Sequence, residues 1–344
     1  MREAISSALN QTYKNLEVIV INDGSTDNGE TDSIARSYGN QIRYFSKPNG
    51  GVATALNLGI EMMTGEYFSW LSHDDVYKPD KIANQMETIT QLGENTILYS
   101  GYEIIDEKSN VIQRLNHRDI YSIEKLNTAL FPVFRGLANG CTMLIHKKHF
   151  ARVGTFDVFF PTTQDYRLWF KMFKNANVHY CEAIDVQMRT HPMQGSKIDM
   201  GHIEECNELW IYMLDNISII EMCEMEGTPS LFFTETYQYL SKGPYKKAIE
   251  YCKQKCAFKE IKYDSKIDTE KLNRVLIKKI EALYQENVAL KKYIRSKRTF
   301  INTLKEINFI EIKWRVRESI RVNGYWNTIL KSKKIFAIVK KFYG

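Results

Sequence analysis

Two adjacent carboxylates, Asp74 and Asp75, close the aromatic and apolar run Tyr67-Phe68-Ser69-Trp70-Leu71-Ser72-His73. A carboxylate pair at the carboxyl end of a buried strand lies where open α/β sheets bind their ligands. There it can share a hard cation such as Mg²⁺ or Mn²⁺ with the oxygens of a diphosphate. Solvated acids at an ordinary strand exit would give the same two letters. A third carboxylate, Asp23, stands in Asn22-Asp23-Gly24-Ser25-Thr26-Asp27, placed to accept a base N–H or a ribose hydroxyl, or simply to stabilise its turn. Gly50 and Gly51 open a stretch dense in small residues through Asn57. Such a stretch lets a helix N-terminus approach a phosphate, and equally lets a helix pack closely on a sheet. Asp165 falls in the first turn of an expected helix, where a negative charge is favourable even without a chemical task. His191 is a lone imidazole in Arg189-Thr190-His191-Pro192, a residue more often structural than reactive.

The elements that must position these groups follow from periodicity. Residues 16–21 are β-branched and apolar and run into the Asp-Gly turn, which makes the first strand-to-helix crossing of an α/β unit. Residues 42–46 form a second strand, residues 67–71 a third, and Pro79 starts a helix near Lys81. Strands are expected at 96–105, 111–112 and 139–145, and edge strands at 178–180 and 185–189. A helix with a loop is expected over 117–135. Thr162 or Thr163 is placed to cap a helix that buries Leu168, Trp169, Met172 and Phe173. Beyond residue 200 the pattern turns helical, with a helical hairpin about Tyr237–Tyr251 and leucines at 276, 283 and 290 spaced for a short pairing seam.

Four blocks in order, Asn10-Gln11-Thr12-Tyr13, residues 17–27, Asn49-Gly50-Gly51 through Ile60, and Leu71-Ser72-His73-Asp74-Asp75, resemble glycosyltransferase family 2. The resemblance implies an α/β fold of the GT-A type, a mixed sheet flanked by helices that binds a nucleotide-diphospho-sugar, followed here by a helical region. It implies sugar transfer with inversion to a hydroxyl of a glycan or lipid-linked acceptor, as in surface polysaccharide assembly. By position, Asp23, Gly24, Ser25, Gly50, Asn57 and Asp74 would bind the nucleotide-sugar, most often a UDP-sugar, with Asp23 on the base. Asp75 would hold Mn²⁺ or Mg²⁺, His191 would complete the metal shell, and Asp165, ahead of Tyr-x-Leu-Trp, would be the catalytic base. Ser72 and Leu56 depart from the Asp and Arg common in the family. A strand that normally precedes the helix at residues 1–9 is also missing, which suggests either a start placed too late or an inactive copy. A truncated, inactive protein that binds a membrane or partner is therefore the alternative function.

Composition narrows the classes further. Of 344 residues, 44% are hydrophobic and 26% charged, an ordinary globular balance, and no apolar run reaches the roughly 18 residues of a membrane span. A cytoplasmic chain with reduced thiols fits six cysteines that include no Cys-x-x-Cys. Residues 291–344 hold fifteen Lys or Arg against three Glu; once that +12 is removed from the overall +6, the remainder carries −6. Such a tail, rich in aromatics, suits the anionic inner face of a membrane. No nucleic-acid motif accompanies the charge, and no Gly-x-Gly-x-x-Gly supports a dinucleotide enzyme. The expected division is a transferase domain at 1–200, a helical region at 201–265 and a basic helical tail at 266–344.

Overall fold

The computed structural model describes residues 1–191 and 200–257. The chain divides into two compact units, Met1–Met213 and Leu214–Gly344. The first opens with α1 (Arg2–Leu9), β1 (Ile19–Asn22), α2 (Glu30–Arg36), β2 (Arg43–Ser46) and α3 (Val52–Met62). β1 and β2 lie parallel, with Ile19 opposite Arg43, as the intervening helix requires. β3 (Tyr67–Phe68), β4 (Val76–Tyr77), α4 (Lys81–Leu92), β5 (Thr96–Ser100), β6 (Tyr102–Ile105) and β7 (Val111–Leu115) follow. The unit continues through α5 (Ile123–Leu126), α6 (Phe131–Phe134), β8 (Ile145–His146), α7 (Lys148–Val153), α8 (Gln164–Phe173), β9 (Asn177–Cys181) and β10 (Val186–Arg189).

β5, buried along its whole length, pairs in parallel with β9 and touches Leu144 through an isolated bridge at Leu98. Its wholly buried Ile97, Leu98 and Tyr99 form the core with Leu168, Trp169, Phe170, Met172 and Phe173 of α8. A second sheet has the order β4-β10-β6-β7. In it β10 runs antiparallel to β4 and parallel to β6, and β6 and β7 form an antiparallel hairpin. The result is the mixed α/β architecture of the GT-A class.

Four local expectations are corrected. The strand at 67–71 is only Tyr67–Phe68. The expected strand at 139–145 is a 3₁₀ turn, Gly140–Thr142, followed by Ile145–His146. Both changes meet at one close contact: a Cβ on Gly140 would come within 2.3 Å of the Trp70 ring. Residues 117–135 break into His117–Asp119, α5 and α6, turns too short to persist without burial. β10 is an interior strand between β4 and β6, not an edge; its Val186 is wholly buried.

α9 (His202–Asn216) carries the chain out of the first unit. Within the second, α10 (Ile219–Glu226) starts with a capping box between Ser218 and Glu221. α11 (Pro229–Leu240) begins with Pro at its first turn and a Thr228 cap, both favoured helix starts. α11 packs on α12 (Lys246–Ala257) across the turn at 241–245, which is the expected helical hairpin. The basic tail and the leucine seam lie outside the described residues. Among those described, no helix is long and apolar enough to cross a membrane.

Candidate active site

The β1 exit is built by Asn22, whose side-chain oxygen accepts the Ser25 N–H at 2.9 Å while its amide donates to the Tyr44 hydroxyl at 3.1 Å. That turn presents Asp23. Gly24 follows at φ +70°, and a Cβ there would sit 2.5 Å from the Asn49 backbone nitrogen, so only glycine lets the two loops meet. Across this contact Asp23 accepts the Gly50 N–H at 3.1 Å and pairs with the Lys47 ammonium. Lys47 also donates to Thr54 Oγ1 and the Pro48 carbonyl, each at 2.8 Å. The fold thus gathers Asp23, Gly24 and Gly50 and leaves Ser25 exposed on the same turn. Lys47 was not anticipated, although a lysine just before Pro-Asn-Gly-Gly was a readable signal.

Asn57, expected on the donor, is used differently. Its amide donates to the Phe156 carbonyl at 2.8 Å and its oxygen accepts the Phe156 N–H at 2.9 Å. Both ends of the side chain are spent holding the segment that leads to α8. This clasp gives Asn57 a positioning task in the structure.

The acid pair is split by environment. Asp75 is buried at 4% exposure; it accepts the Arg189 N–H at 2.9 Å on one oxygen and the Cys141 thiol at 3.3 Å on the other. Burial, reinforced by the charge on Asp74 and opposed by the Arg189 N–H, pushes its carboxyl up to about 6. Asp74 is the more open of the two, and its Oδ2 stands 3.1 Å from Nε2 of His191. Arg189 fixes this turn from β10: its guanidinium donates to the Asp74 carbonyl at 2.9 Å, the Asp106 carbonyl at 2.8 Å, Ser109 at 3.0 Å and Glu3 at 2.5 Å. Among the described residues, no group of three or more His, Cys, Asp and Glu side chains forms a metal cage.

Asp165 lies in the first turn of α8 and accepts the Tyr166 N–H at 2.8 Å. Burial lifts its carboxyl from the ordinary 3.8 to about 6, with the Glu205 charge adding to the rise and backbone N–H bonds opposing it. Thr163 occupies the cap position without capping, because its hydroxyl donates to Glu205 at 2.7 Å. Thr162 Oγ1, Gln164 Oε1, Arg167 Nε and Trp169 Nε1 are buried atoms with no partner among the described residues. Such groups are rare in folded chains and want a polar partner.

One residue joins the three parts. The ring of Phe156 meets Trp70 edge-on at 6.2 Å and Trp169 edge-on at 5.6 Å, while Asn57 holds its backbone. Trp70 stands four residues before Asp74 and Trp169 four residues after Asp165. The acid turn, α8 and α3 therefore share a single fastening point.

Comparison with known proteins agrees with this layout. The profile of "Glycosyl transferase family 2" matches residues 1–154. An uncharacterised glycosyltransferase of Rickettsia conorii is 53% identical over 73% of this chain and 42% of its own length. Another, from Rickettsia prowazekii, is 43% identical over 73% of this chain and 78% of its own. The chain spans about two fifths of the length of the first three curated relatives it matches, at 42%, 44% and 39%. In fold it is similar to Staphylococcus aureus TarS 1-349 in complex with UDP-GlcNAc, with a TM-score of 0.53 and 15% identity over 74% of this chain and 83% of that one. With the profile match, and a relative 43% identical of which the chain covers 78%, the chain belongs to glycosyltransferase family 2 and has the GT-A fold.

Proposed function

We propose that the protein transfers a sugar, with inversion, from a UDP-sugar to a hydroxyl of a glycan or lipid-linked acceptor in surface polysaccharide assembly. The observation that carries this reading is Asp165: a half-buried carboxylate at a helix start, its proton affinity raised to about 6, fastened through Phe156 to the stretch that ends in Asp74 and Asp75. An affinity in that range suits a general base, which must be ionised near neutral pH and still hold a proton well. Asp165 takes the proton of the acceptor hydroxyl as that oxygen bonds to the anomeric carbon. The bond from that carbon to the diphosphate breaks on the opposite face, and the nucleoside diphosphate leaves with the electron pair. The partnerless polar atoms at Thr162, Gln164 and Arg167 supply hydrogen bonds for a hydroxyl-rich acceptor.

On the donor side, Asp23 and the Ser25 turn receive the base and ribose, with Gly50 against the phosphates. The donor set fits Mn²⁺ or Mg²⁺: an open Asp74 oxygen stands beside the His191 imidazole, with Asp75 next in sequence, and such ions take one or two carboxylates and fill the rest of the shell with phosphate and water. When bound, the cation offsets the charge of the diphosphate. Asp74 and His191 would hold it in the arrangement described, with Asp75, whose oxygens each accept one hydrogen bond, next to them.

Calorimetric titration of UDP-GlcNAc, the ligand of the TarS complex, with and without Mn²⁺ tests the donor site. Asp165→Asn is expected to keep donor binding and lose sugar transfer. Equal loss of both would remove Asp165 as the base, and no binding by the folded wild-type chain would favour the inactive, partner-binding alternative.

A further inference from the structure

Glu205 lies outside the family match and outside every motif described above, yet it bonds the lead-in of α8 at both Thr162 and Thr163. From the first turn of α9 its carboxylate accepts the Thr162 N–H at 3.0 and 3.3 Å, the Thr163 N–H at 2.7 Å and the Thr163 hydroxyl at 2.7 Å. Charge-assisted bonds of this kind are about twice as strong as neutral ones. They take the place of the Thr163 cap, so the start of α8 is set by another helix and not by its own sequence. A second tie runs parallel: the Arg167 guanidinium stacks 3.8 Å from the Phe160 ring and 4.2 Å from the ring of Tyr212 on α9.

We propose that Glu205 is a positioning residue for Asp165: its bonds to Thr162 and Thr163 fix the turn that carries the base and set a second carboxyl in its surroundings. The inference rests on Asp165 being the base only for its kinetic consequence; the placement of the carboxyl stands or falls separately. The other titratable groups facing this turn are few. Cys206, next on α9, is held as a thiol, its proton affinity pushed up to about 11 by burial and by the charges of Glu205 and Asp165. His202 lies one turn earlier with Nε2 at 3.6 Å from the Cys206 sulfur. Arg167, on α8, directs its cation onto aromatic faces. Glu205 is thus the one carboxylate among the described residues that enters the electrostatic surroundings of Asp165.

The test uses the full chain and three variants. Glu205→Gln keeps the reach and loses the charge, Glu205→Asp keeps the charge and loses the reach, and Glu205→Ala loses both. The carboxyl ¹³C signal of Asp165, assigned by its disappearance in Asp165→Asn, is followed against pH. The wild-type midpoint near 6 is expected to fall in Glu205→Gln and in Glu205→Ala. Amide exchange at Thr162 and Thr163 is expected to quicken about 10-fold or more in Glu205→Ala and in Glu205→Asp. With UDP-GlcNAc as donor, kcat in Glu205→Gln should drop about 10- to 100-fold, with donor KM within about twofold and the acid limb of the pH profile moved down. An unchanged Asp165 midpoint in Glu205→Gln, which retains its hydrogen-bonding shape and should fold, would overturn the proposal. A midpoint that moves while wild-type protein turns over no UDP-GlcNAc would uphold the positioning and count against the reading of the reaction.

Discussion

The raised proton affinity of Asp165 has a thermodynamic cost that can be measured without any substrate. In the folded chain the carboxyl titrates near 6, against 3.8 when unperturbed. The folded state therefore binds more protons than the unfolded state between about pH 4 and 6, and stability falls as pH rises through that window. At about 1.36 kcal/mol per pH unit the full cost is about 3 kcal/mol above pH 6, and partial contact with solvent reduces it to about 1–3 kcal/mol. Asp165→Asn cannot ionise, and its side-chain oxygen still accepts the Tyr166 N–H. The variant should therefore be more stable than wild type by about 1–3 kcal/mol at pH 7.5, and by about half that at pH 5. Urea unfolding followed by tryptophan fluorescence at the two pH values measures the difference, since Trp70, Trp169 and Trp210 all lie in the first unit. A gain equal at both pH values, or none at either, would refute an ionised, desolvated Asp165.

Three further outcomes are expected. Gly24→Ala places a methyl where φ is +70° and the Asn49 nitrogen is 2.5 Å away, so it should cost about 1–3 kcal/mol and weaken UDP binding in calorimetry while leaving α8 protected in hydrogen exchange. Gly140→Ala should cost about 1–3 kcal/mol by displacing the Trp70 ring, seen as a lower urea midpoint with altered tryptophan emission. Lys81 is buried beneath the acid turn, bonded to Ser69 and the Met143 carbonyl, and burial depresses its ammonium from 10.5 to about 7. A depressed cation gives up its proton on folding, so wild-type stability should rise between about pH 7 and 10 relative to Lys81→Met, by up to a few kcal/mol; parallel pH profiles would contradict the neutral, buried lysine.

How much of this could be read from residues alone depends on how local each contact is. The Asp23-Gly24 turn was legible because its strand, its positive-φ glycine and its Asn22 brace all lie within a few positions of one another. The Asp165 helix was legible from its apolar face, which the core then buried as expected. The Asn57 clasp was not legible because its partner, Phe156, is 99 residues away, and a side-chain amide gives no sign in sequence of where it bonds. The division between Asp74 and Asp75 was hidden for the same reason: two identical neighbours are told apart by His191, Cys141 and the Arg189 N–H, which lie far along the chain. Thr163 looked like a cap because threonine caps helices; it lost that task to a carboxylate 42 residues later. The long strands expected at 67–71 and 139–145 shorten to the pairing of Tyr67–Phe68 with Ile145–His146, with Gly140 close against the Trp70 ring where they stop.

The fastening at Phe156 bears on how such enzymes can be recombined. The segment similar to the family profile ends at residue 154, which makes that boundary an inviting crossover for joining parts of two such proteins. A cut there would hand Asn57 and Trp70 to one parent and Phe156 and Trp169 to the other, so the incoming loop would have to match an amide clasp and two ring edges that it never evolved against. A crossover moved past residue 157 keeps Phe156 with its Asn57 clasp and Trp70 edge, so that of the hub's own contacts the Trp169 edge is the one to be matched across the seam.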